Sequence, residues 1–423
     1  MENEEKFGSS VSVLTAGRDR HYSLGLASAL AVAGVKFDFI ASDELESEQL
    51  RMLPRVNFRN LRGDQGTDAS LLRKMSRVLV YYFRLLAYAM MSRPKVFHIL
   101  WNNKFELFDR TLLMVFYKLL GKKIAFTAHN VNAGKRDGSD SALNRASLRF
   151  QYRLCDRIFV HTNKMKEELI LEFGVREDKI VMIPFGINNA VPATSLTIDE
   201  ARKKLGLRPD NKVILFFGNI APYKGLEFLV EAFSMISKED PATRLVIAGR
   251  PKGPKSYWKK IQQTISHSNL DDRVSKKIEY ISDDEIEIYF KAADVLVLPY
   301  VSIFQSGVLF LAYGFGLPVI ATDVGSLKEE IVEGKTGFVC EPKNPRALLL
   351  SIQNYFQSDL YRELNLRRCE IQNFAKARCS WDEVGAITVR IYSELLHKEK
   401  RLDAFFKKGE NNEALGLDSH SSI

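Results

Sequence analysis

A loop that carries Lys224 has the features of an anion-binding turn. It follows the apolar run Val213 to Ile220 and precedes a helical pattern that begins near Gly225. Loops after parallel strands and helix N-termini attract phosphate through unpaired N–H groups and the helix dipole, and a lysine adds a full positive charge. The spacing therefore predicts a diphosphate clamp formed by Gly218, Asn219 and Lys224, although Lys-Gly turns also occur after strands that bind no phosphate.

A second candidate lies at the start of an apolar helix. Gln305, Ser306 and Gly307 precede the run VLFLAYGF, which begins at Val308. A helix start with a hydroxyl group and a flexible glycine presents backbone donors, so this segment is suited to a second phosphate. The alternative is that Ser306 only caps a buried helix, which such helices require in any protein.

Polar and aromatic residues of the first half follow strand-like runs. His129 and Asn130 end KIAFTAHN, Trp101 follows KVFHIL, and Arg18 and His21 follow VSVLT. Open α/β folds bind ligands at the carboxyl ends of their strands, so we expect these residues on one side of a cleft. Packing is an equally good explanation for the tryptophan.

Apolar runs and helical patterns alternate through most of the chain. Strand-like runs are Val11–Thr15, Lys36–Ser42, Lys95–Leu100, Lys123–Asn130, Arg157–Thr162 and Lys179–Ile187, then Val213–Ile220, Arg244–Gly249, Lys277–Ile281, Val295–Tyr300, Leu317–Thr322 and Gly337–Glu341. Strands buried on both faces that alternate with helices predict parallel βαβ sheets. The predicted fold class is α/β, with two doubly wound Rossmann-like domains that face each other across a cleft.

The domain boundary is expected in the polar, proline-containing stretch NNAVPATSLT. A length of 423 residues suits two domains. We therefore expect an N-terminal domain over residues 1–188 and a C-terminal domain over residues 189–397, whose terminal helices can cross back to the first. Residues 398–423 are charged and then rich in small polar residues, which predicts a disordered tail.

The positive charge is concentrated in one part of the chain. Residues 73–123 contain eleven Lys and Arg and two acidic residues, a local excess as large as the +9 net charge of the whole chain. The segment from Arg73 to Arg93 combines basic flanks with apolar residues, which suits a helix lying on an anionic membrane. A buried helix with solvated ends is the alternative. No nucleic-acid motif accompanies the charge, so nucleic acid is not an expected partner.

Other features limit the cellular setting. The four cysteines form no CxxC pair, which predicts neither a zinc site nor a disulfide framework. The start MENEEKFGSS lacks the basic and apolar regions of a secretory signal, and no uncharged stretch reaches the roughly 18 residues of a spanning helix. We expect a cytoplasmic protein that can associate with the inner face of the cell membrane through its basic helix.

Several motifs in the second half resemble a known family. FGNIAPYKG, VLVLPY and GFGLPVIATDVGSLKEEIVEGKTGFVCEP resemble the nucleotide-sugar domain of the retaining family 4 glycosyltransferases with the GT-B fold, from about Val213 to Pro342. TAHNV, IFVHTNKMKEELILEFGV and KIVMIPFGI resemble the acceptor half of the same family, and HYSLGLASALAVAGVKFDFIAS fits its opening. The resemblance covers nearly all of the chain.

The resemblance implies a partial donor site. Lys224 matches the lysine of a basic pair that grips the diphosphate in that family, whereas Asn219 occupies the usual arginine position. Two acidic residues eight positions apart normally contact the transferred sugar and the nucleotide ribose. Ile303 and Leu311 occupy those positions here, and both are apolar.

Different explanations of these departures stay open. Gln305 can replace the first acid at the sugar hydroxyls, with the ribose held by other groups such as Glu329 or Glu330. Alternatively, the protein binds a sugar nucleotide weakly or not at all and serves as a partner subunit. We favour a divergent active enzyme because Lys224, the helix start at Ser306 and His129 are retained.

The resemblance also implies a mechanism and partners. It predicts front-face transfer with retention of the anomeric configuration, with His129 and Lys224 as catalytic residues. As the replacement for the first missing acid, Gln305 is the third expected catalytic residue, and Glu330 is expected on the donor side. We expect no metal and no cofactor beyond a nucleotide-sugar donor, with a UDP-sugar favoured over a GDP-sugar, and a saccharide or lipid-linked acceptor. A sugar-nucleotide epimerase of the same architecture and a non-catalytic GT-B protein are the alternatives.

Overall fold

Two parallel β-sheets organise the chain. The computed structural model describes residues 10–17, 19–66, 70–186, 191 and 194–397. Each sheet is flanked by helices, and its inner strands are buried along most or all of their length because their residues are mainly apolar. The prediction of two Rossmann-like α/β units is therefore confirmed.

The N-terminal sheet has seven parallel strands in the order β3-β2-β1-β4-β5-β6-β7. Its strands are β1 (Val11–Leu14), β2 (Phe37–Ala41), β3 (Val56–Asn60), β4 (Val96–Ile99), β5 (Lys123–Thr127), β6 (Arg157–Val160) and β7 (Ile180–Met182). The helices are α1 (Arg20–Val32), α2 (Glu48–Met52), α3 (Leu71–Met91), α4 (Glu106–Arg110), α5 (Leu112–Leu119), α6 (Ala133–Asp137), α7 (Ala142–Leu154) and α8 (Asn163–Leu171).

The C-terminal sheet has six parallel strands in the order β10-β9-β8-β11-β12-β13. Its strands are β8 (Lys212–Phe217), β9 (Thr243–Ala248), β10 (Val274–Lys277), β11 (Val295–Leu298), β12 (Val319–Thr322) and β13 (Gly337–Cys340). The helices are α9 (Ile198–Lys204), α10 (Leu226–Glu239), α11 (Lys255–His267), α12 (Asp283–Ala292), α13 (Gly307–Gly314), α14 (Pro345–Gln357), α15 (Asp359–Arg362) and α16 (Leu364–Arg378).

A terminal helix over residues 381–397 crosses back to the N-terminal half. Its Val384 and Tyr392 are fully buried in the same apolar core as β1 and β2. The indole of Trp381 fills the space beside Gly25 and Gly186, where an added Cβ would lie 2.1 and 2.3 Å from the ring. Small residues at both positions therefore allow the two halves to be held together by this helix.

Two elements differ from the sequence expectation. The strand β3 was not predicted, because its residues alternate between half-buried and exposed and include polar side chains. The strand expected over Lys277–Ile281 was placed wrongly, since β10 ends at Lys277 and the following residues form a loop. The boundary near residue 189 and the tail over residues 398–423 lie outside the described residues and stay predictions.

Candidate functional site

A cleft of about 1030 Å³ lies between the two halves. Its walls come mainly from loops that follow the carboxyl ends of β1, β8, β9, β10 and β11, the edge at which open α/β sheets place ligands. The polar residues of the wall include Asp19, Arg20, His21, Asn219, Lys224, Arg250, Lys252, Glu279, Asp283, Gln305 and Ser306. The geometry thus brings most of the predicted donor residues and His21 together.

The turn between β8 and α10 requires glycine at its end. Pro222–Lys224 forms a single turn of 3-10 helix, and Gly225 follows with a φ of 64°. A Cβ at Gly225 would lie 2.0 Å from the carbonyl oxygen of Pro299, so no other residue fits there without movement. This close approach fixes the position of Lys224 at the edge of the cleft.

Lys224 is a buried cation with little charge compensation. Lys224 is only 6% exposed. Its Nζ donates a hydrogen bond to the Tyr300 hydroxyl at 2.5 Å and lies 3.8 Å from the centre of the Tyr300 ring. Burial, followed by the charges of Arg136 and Lys252, lowers the pKa of Lys224 to about 7. A bound anion would therefore stabilise the protonated lysine.

Arg136 brings a further positive charge to this turn from the other half of the protein. It lies on α6, and its guanidinium carbon is 4.9 Å from the centre of the Tyr223 ring. The arginine also pairs with the neighbouring Asp137 at 2.7 Å. Arg136 is not among the residues predicted from the sequence, and its position in the segment after β5 is the only local signal for it.

The start of α13 presents polar groups to the cleft. Ser306 is 2% exposed, and its Oγ lies 3.3 Å from the Tyr300 hydroxyl. Its side chain makes no capping hydrogen bond to the helix, so capping does not explain this serine. Gln305, Gly307 and Val308 also line the cleft, and the buried Oε1 of Gln305 has no hydrogen-bond partner among the described residues. A ligand hydroxyl or amide could satisfy that oxygen.

Carboxylates that are not predicted from the sequence also reach the cleft. Asp283, the first residue of α12, lies 3.5 Å from Arg20 and 3.3 Å from His21 of the opposite half. Glu279 follows β10 and pairs with Lys277 at 2.7 Å. These acids are far in sequence from the expected acidic positions, and only the fold brings them to the same cavity. Ile303 and Leu311 line the cleft as apolar groups.

His129 lies in an aromatic cluster behind the cleft wall. Its ring stacks on Trp101 with centroids 4.3 Å apart and meets the edge of Tyr22, which lines the cleft, at 4.5 Å. Burial, and then the nearby His161 and His98, hold the pKa of His129 well below its usual range, so the ring is neutral. Its Nε2 is buried without a hydrogen-bond partner among the described residues.

Some predicted site residues lie outside the cleft wall. Asn130 and Trp101 accompany His129 and are not part of the lining. Glu330 lines a smaller cavity of about 280 Å³, where it lies 3.6 Å from Arg378. Arg18 lies outside the described residues, and no group of three or more potential metal ligands occurs within the described part of the chain.

The two halves match two glycosyltransferase domain families. Residues 21–191 match the family model described as Glycosyltransferase Family 4, and residues 197–370 match that described as Glycosyl transferases group 1. The D-inositol 3-phosphate glycosyltransferase of Corynebacterium glutamicum is 24% identical over 89% of this chain and 92% of its own length. The one from Pseudarthrobacter chlorophenolicus is 30% identical over 57% of each chain.

Solved structures share the fold. Sucrose-phosphate synthase from Thermosynechococcus elongatus superposes with a TM-score of 0.72 at 19% identity, over 92% of this chain and 100% of that chain. Anabaena HepE in complex with UDP-glucose superposes with a TM-score of 0.68 at 16% identity, over 90% of this chain and 98% of that chain. The arrangement of two Rossmann-like domains around the cleft is therefore the GT-B fold.

Proposed function

We propose that this chain, a glycosyltransferase with the GT-B fold, transfers a sugar from a nucleotide-sugar donor to a saccharide or lipid-linked acceptor with retention of configuration. The observation that carries this proposal is the convergence of the buried Lys224 and the start of α13 on one cleft. A cation and a helix N-terminus together are suited to the diphosphate of such a donor. A UDP-sugar is favoured, since the structurally similar HepE is described with UDP-glucose.

The proposed chemistry needs no metal ion, because Lys224 and the backbone of Gly307 and Val308 stabilise the charge of the leaving diphosphate. The bond between the anomeric carbon and the diphosphate oxygen breaks, and its electron pair goes to that oxygen. The acceptor hydroxyl attacks the same face of the sugar, as the family resemblance implies. Its proton passes to the leaving phosphate, so no protein carboxylate acts as nucleophile.

Three side chains have proposed roles at the sugar and the ribose. The Oε1 of Gln305 has no partner among the described residues and accepts a hydrogen bond from a sugar hydroxyl. It takes the place of the expected acidic residue, whose position is occupied by Ile303. The neutral His129 orients the sugar through its unpartnered Nε2. A ribose contact by Glu330 requires its turn to move away from Arg378, which now faces that carboxylate.

The setting proposed for this activity is the assembly of a surface polysaccharide or glycoconjugate at the inner face of the cell membrane. The basic and apolar character of α3 supports peripheral association with anionic lipid. Within the described ranges, none of the helices is both long and apolar enough to cross a membrane. The acceptor would then be presented at the membrane surface.

Thermal unfolding in the presence of UDP, GDP and ADP tests donor binding. A nucleotide at about 100 times its dissociation constant adds roughly 2.7 kcal/mol to the free energy of unfolding. We expect stabilisation by UDP that is lost in Lys224→Ala and kept in Lys259→Ala, a control at an exposed lysine of α11. No stabilisation by any of the three nucleotides would refute the donor site. Product analysis with an acceptor then separates a glycoside from the epimerised sugar of the alternative.

A further inference from the structure

Helix α3 exposes an apolar ridge that no other described part of the chain covers. The helix spans 21 residues and buries Tyr81, Tyr82, Leu85 and Ala89 against the N-terminal sheet. A second face, spaced at three and four residues, carries side chains that are 62 to 80% exposed, namely Leu72, Met75, Leu79 and Phe83. Contiguous exposed apolar surface of this kind marks an interaction site, since it is costly to leave in water.

A further exposed apolar side chain contacts α3 from outside the helix. Phe105 is 49% exposed and stacks on Tyr82 with ring centroids 5.6 Å apart. A separate face of α3 carries Arg73, Arg77 and Arg84. A helix with an apolar ridge beside a row of arginines lies favourably in the plane of a membrane that contains anionic lipids.

A basic pocket of about 300 Å³ adjoins α3. Four cationic residues, Arg62, Lys74, Arg77 and Lys104, line it, whereas the acidic residue of its wall, Asp64, already pairs with Arg77 at 2.6 Å. Within the described part of the chain, no carboxylate pairs with Lys74 or Lys104. The pocket is thus complementary to an anionic group.

The apolar part of the pocket comes from the buried side of α3. Val78, Tyr81 and Tyr82 form this part of the wall. An anionic group in the pocket would therefore be attached to a molecule that also offers apolar surface. Leu79 of the ridge and Tyr82 of the wall are three residues apart and therefore neighbours on the helix surface, so one amphiphilic molecule can contact both.

The basic pocket also adjoins the acceptor side of the cleft. Asn103 lines the pocket, and two residues before it Trp101 stacks on His129. Two residues span at most about 7 Å. On the other wall, Gln65 donates to the carbonyl oxygen of Gly17 at 3.5 Å, in the loop that leads to the cleft residue Asp19. A sugar attached to a group in the pocket could therefore reach the aromatic cluster.

We infer that the acceptor is a membrane amphiphile whose phosphate-bearing headgroup occupies the basic pocket while the apolar ridge of α3 lies in the bilayer. This inference rests on the proposed function and names its acceptor class. The headgroup is bound by Lys74 and Lys104, and the ridge residues Leu79 and Phe83 insert among the lipid chains. The saccharide of the acceptor extends past Trp101 towards the donor cleft.

Flotation of the full chain with lipid vesicles tests the inference. One set of vesicles is phosphatidylcholine alone, and the other contains about one third phosphatidylglycerol. We expect binding to the anionic vesicles only, loss of that binding in L79E/F83E, and at least about tenfold weaker binding in K74E/K104E, because each cation near the surface contributes to attraction. The matched controls are Leu366→Glu, at an exposed residue of α16, and K259E/K260E on α11.

Separate measurements distinguish the possible failures. Stabilisation by UDP should be the same in K74E/K104E as in the unchanged protein, since those lysines lie outside the donor cleft. Equal binding to both kinds of vesicle, or equal loss in K74E/K104E and K259E/K260E, would overturn the inference while leaving the donor site intact. Absence of UDP stabilisation in the unchanged protein would instead overturn the proposed function.

Discussion

Both sides of the cleft are formed at the carboxyl edge of a parallel sheet, but they differ in the charge of the side chain that each edge holds. On the C-terminal side, the turn after β8 holds Lys224 in a buried position where its charge is poorly compensated. On the N-terminal side, the loop after β5 places the neutral His129 between aromatic rings. One edge is thus built to receive an anion, and the other to shield a polar group from water.

The contrast shows how charge is divided between the halves. Arg136 crosses from the N-terminal half to the turn of Lys224, whereas Asp283 crosses from the C-terminal half to Arg20 and His21. Each half of the protein therefore contributes a charged side chain to a contact with the other half. Closure of the cleft would bring the shielded and the charged edges to the same ligand.

The largest effect is expected from removal of the buried cation. Lys224→Ala should lower kcat/KM for the nucleotide sugar by about 10³-fold, because the leaving diphosphate loses a preorganised positive charge. Steady-state kinetics with a varied donor concentration measure this change. Lys259→Ala, at an exposed lysine, is the control, and comparable kinetics for the two variants would contradict the assignment of the anion site.

A smaller effect is expected on the shielded side. His129→Gln should lower kcat by about 10²-fold while the dissociation constant of UDP stays the same, since this side chain acts on the sugar and not on the diphosphate. Single-turnover kinetics and calorimetric titration with UDP separate the two quantities. Weaker UDP binding in this variant would contradict the proposal that His129 contacts only the sugar and that the C-terminal edge alone binds the diphosphate.

The C-terminal edge could be predicted from sequence to a greater extent than its surroundings. Lys224 and Ser306 lie in continuous motifs next to apolar runs, so their strand and helix could be recognised locally. Arg136 and Asp283 reach the site from separate elements, and their role depends on tertiary contacts that spacing does not encode. The position of the cleft could be predicted from the βαβ order of the chain, but the charged residues that reach it from separate elements could not.

The errors in the strand assignments have a similar physical origin. β3 is an edge strand with polar residues such as Asn57 and Arg59, so it lacks the continuous apolar run of a central strand. Tyr280 and Ile281 gave the segment after β10 the appearance of a strand, yet they line the cleft. Apolar residues used for ligand contact cannot be distinguished by pattern from those used for a core.

The protonation of Lys224 predicts a pH dependence of donor binding. A pKa of about 7 in the free protein means that the lysine is charged below pH 7 and increasingly neutral above it. If the bound diphosphate keeps the lysine charged, UDP affinity should fall by about thirtyfold between pH 6 and pH 8.5, since each pH unit above the pKa lowers the charged fraction about tenfold. Calorimetric titration over this range measures the fall.

Lys224→Met supplies the control for this prediction. The variant has no titrating group at the turn, so any change in its UDP affinity over the same range reports the protonation of the nucleotide itself. Subtracting that change isolates the contribution of the lysine. Parallel pH profiles for the two proteins would show that Lys224 stays charged in the free protein over this range. They would contradict the lowering of its pKa by burial.

The smallest effect is expected where the two halves exchange charge. Arg136→Gln should raise KM for the donor by about five- to tenfold, because it removes a cation from the neighbourhood of Lys224 together with its contact to the Tyr223 ring. Arg153→Gln, at an exposed arginine of α7, is the matched control. Arg136→Gln should also raise the pKa of Lys224, because a repelling positive charge is lost. The loss of UDP affinity with rising pH should therefore begin at a higher pH. An increase in KM without that shift would mean that Arg136 acts through the Tyr223 contact alone, and that the charged edge of the cleft belongs entirely to the C-terminal half.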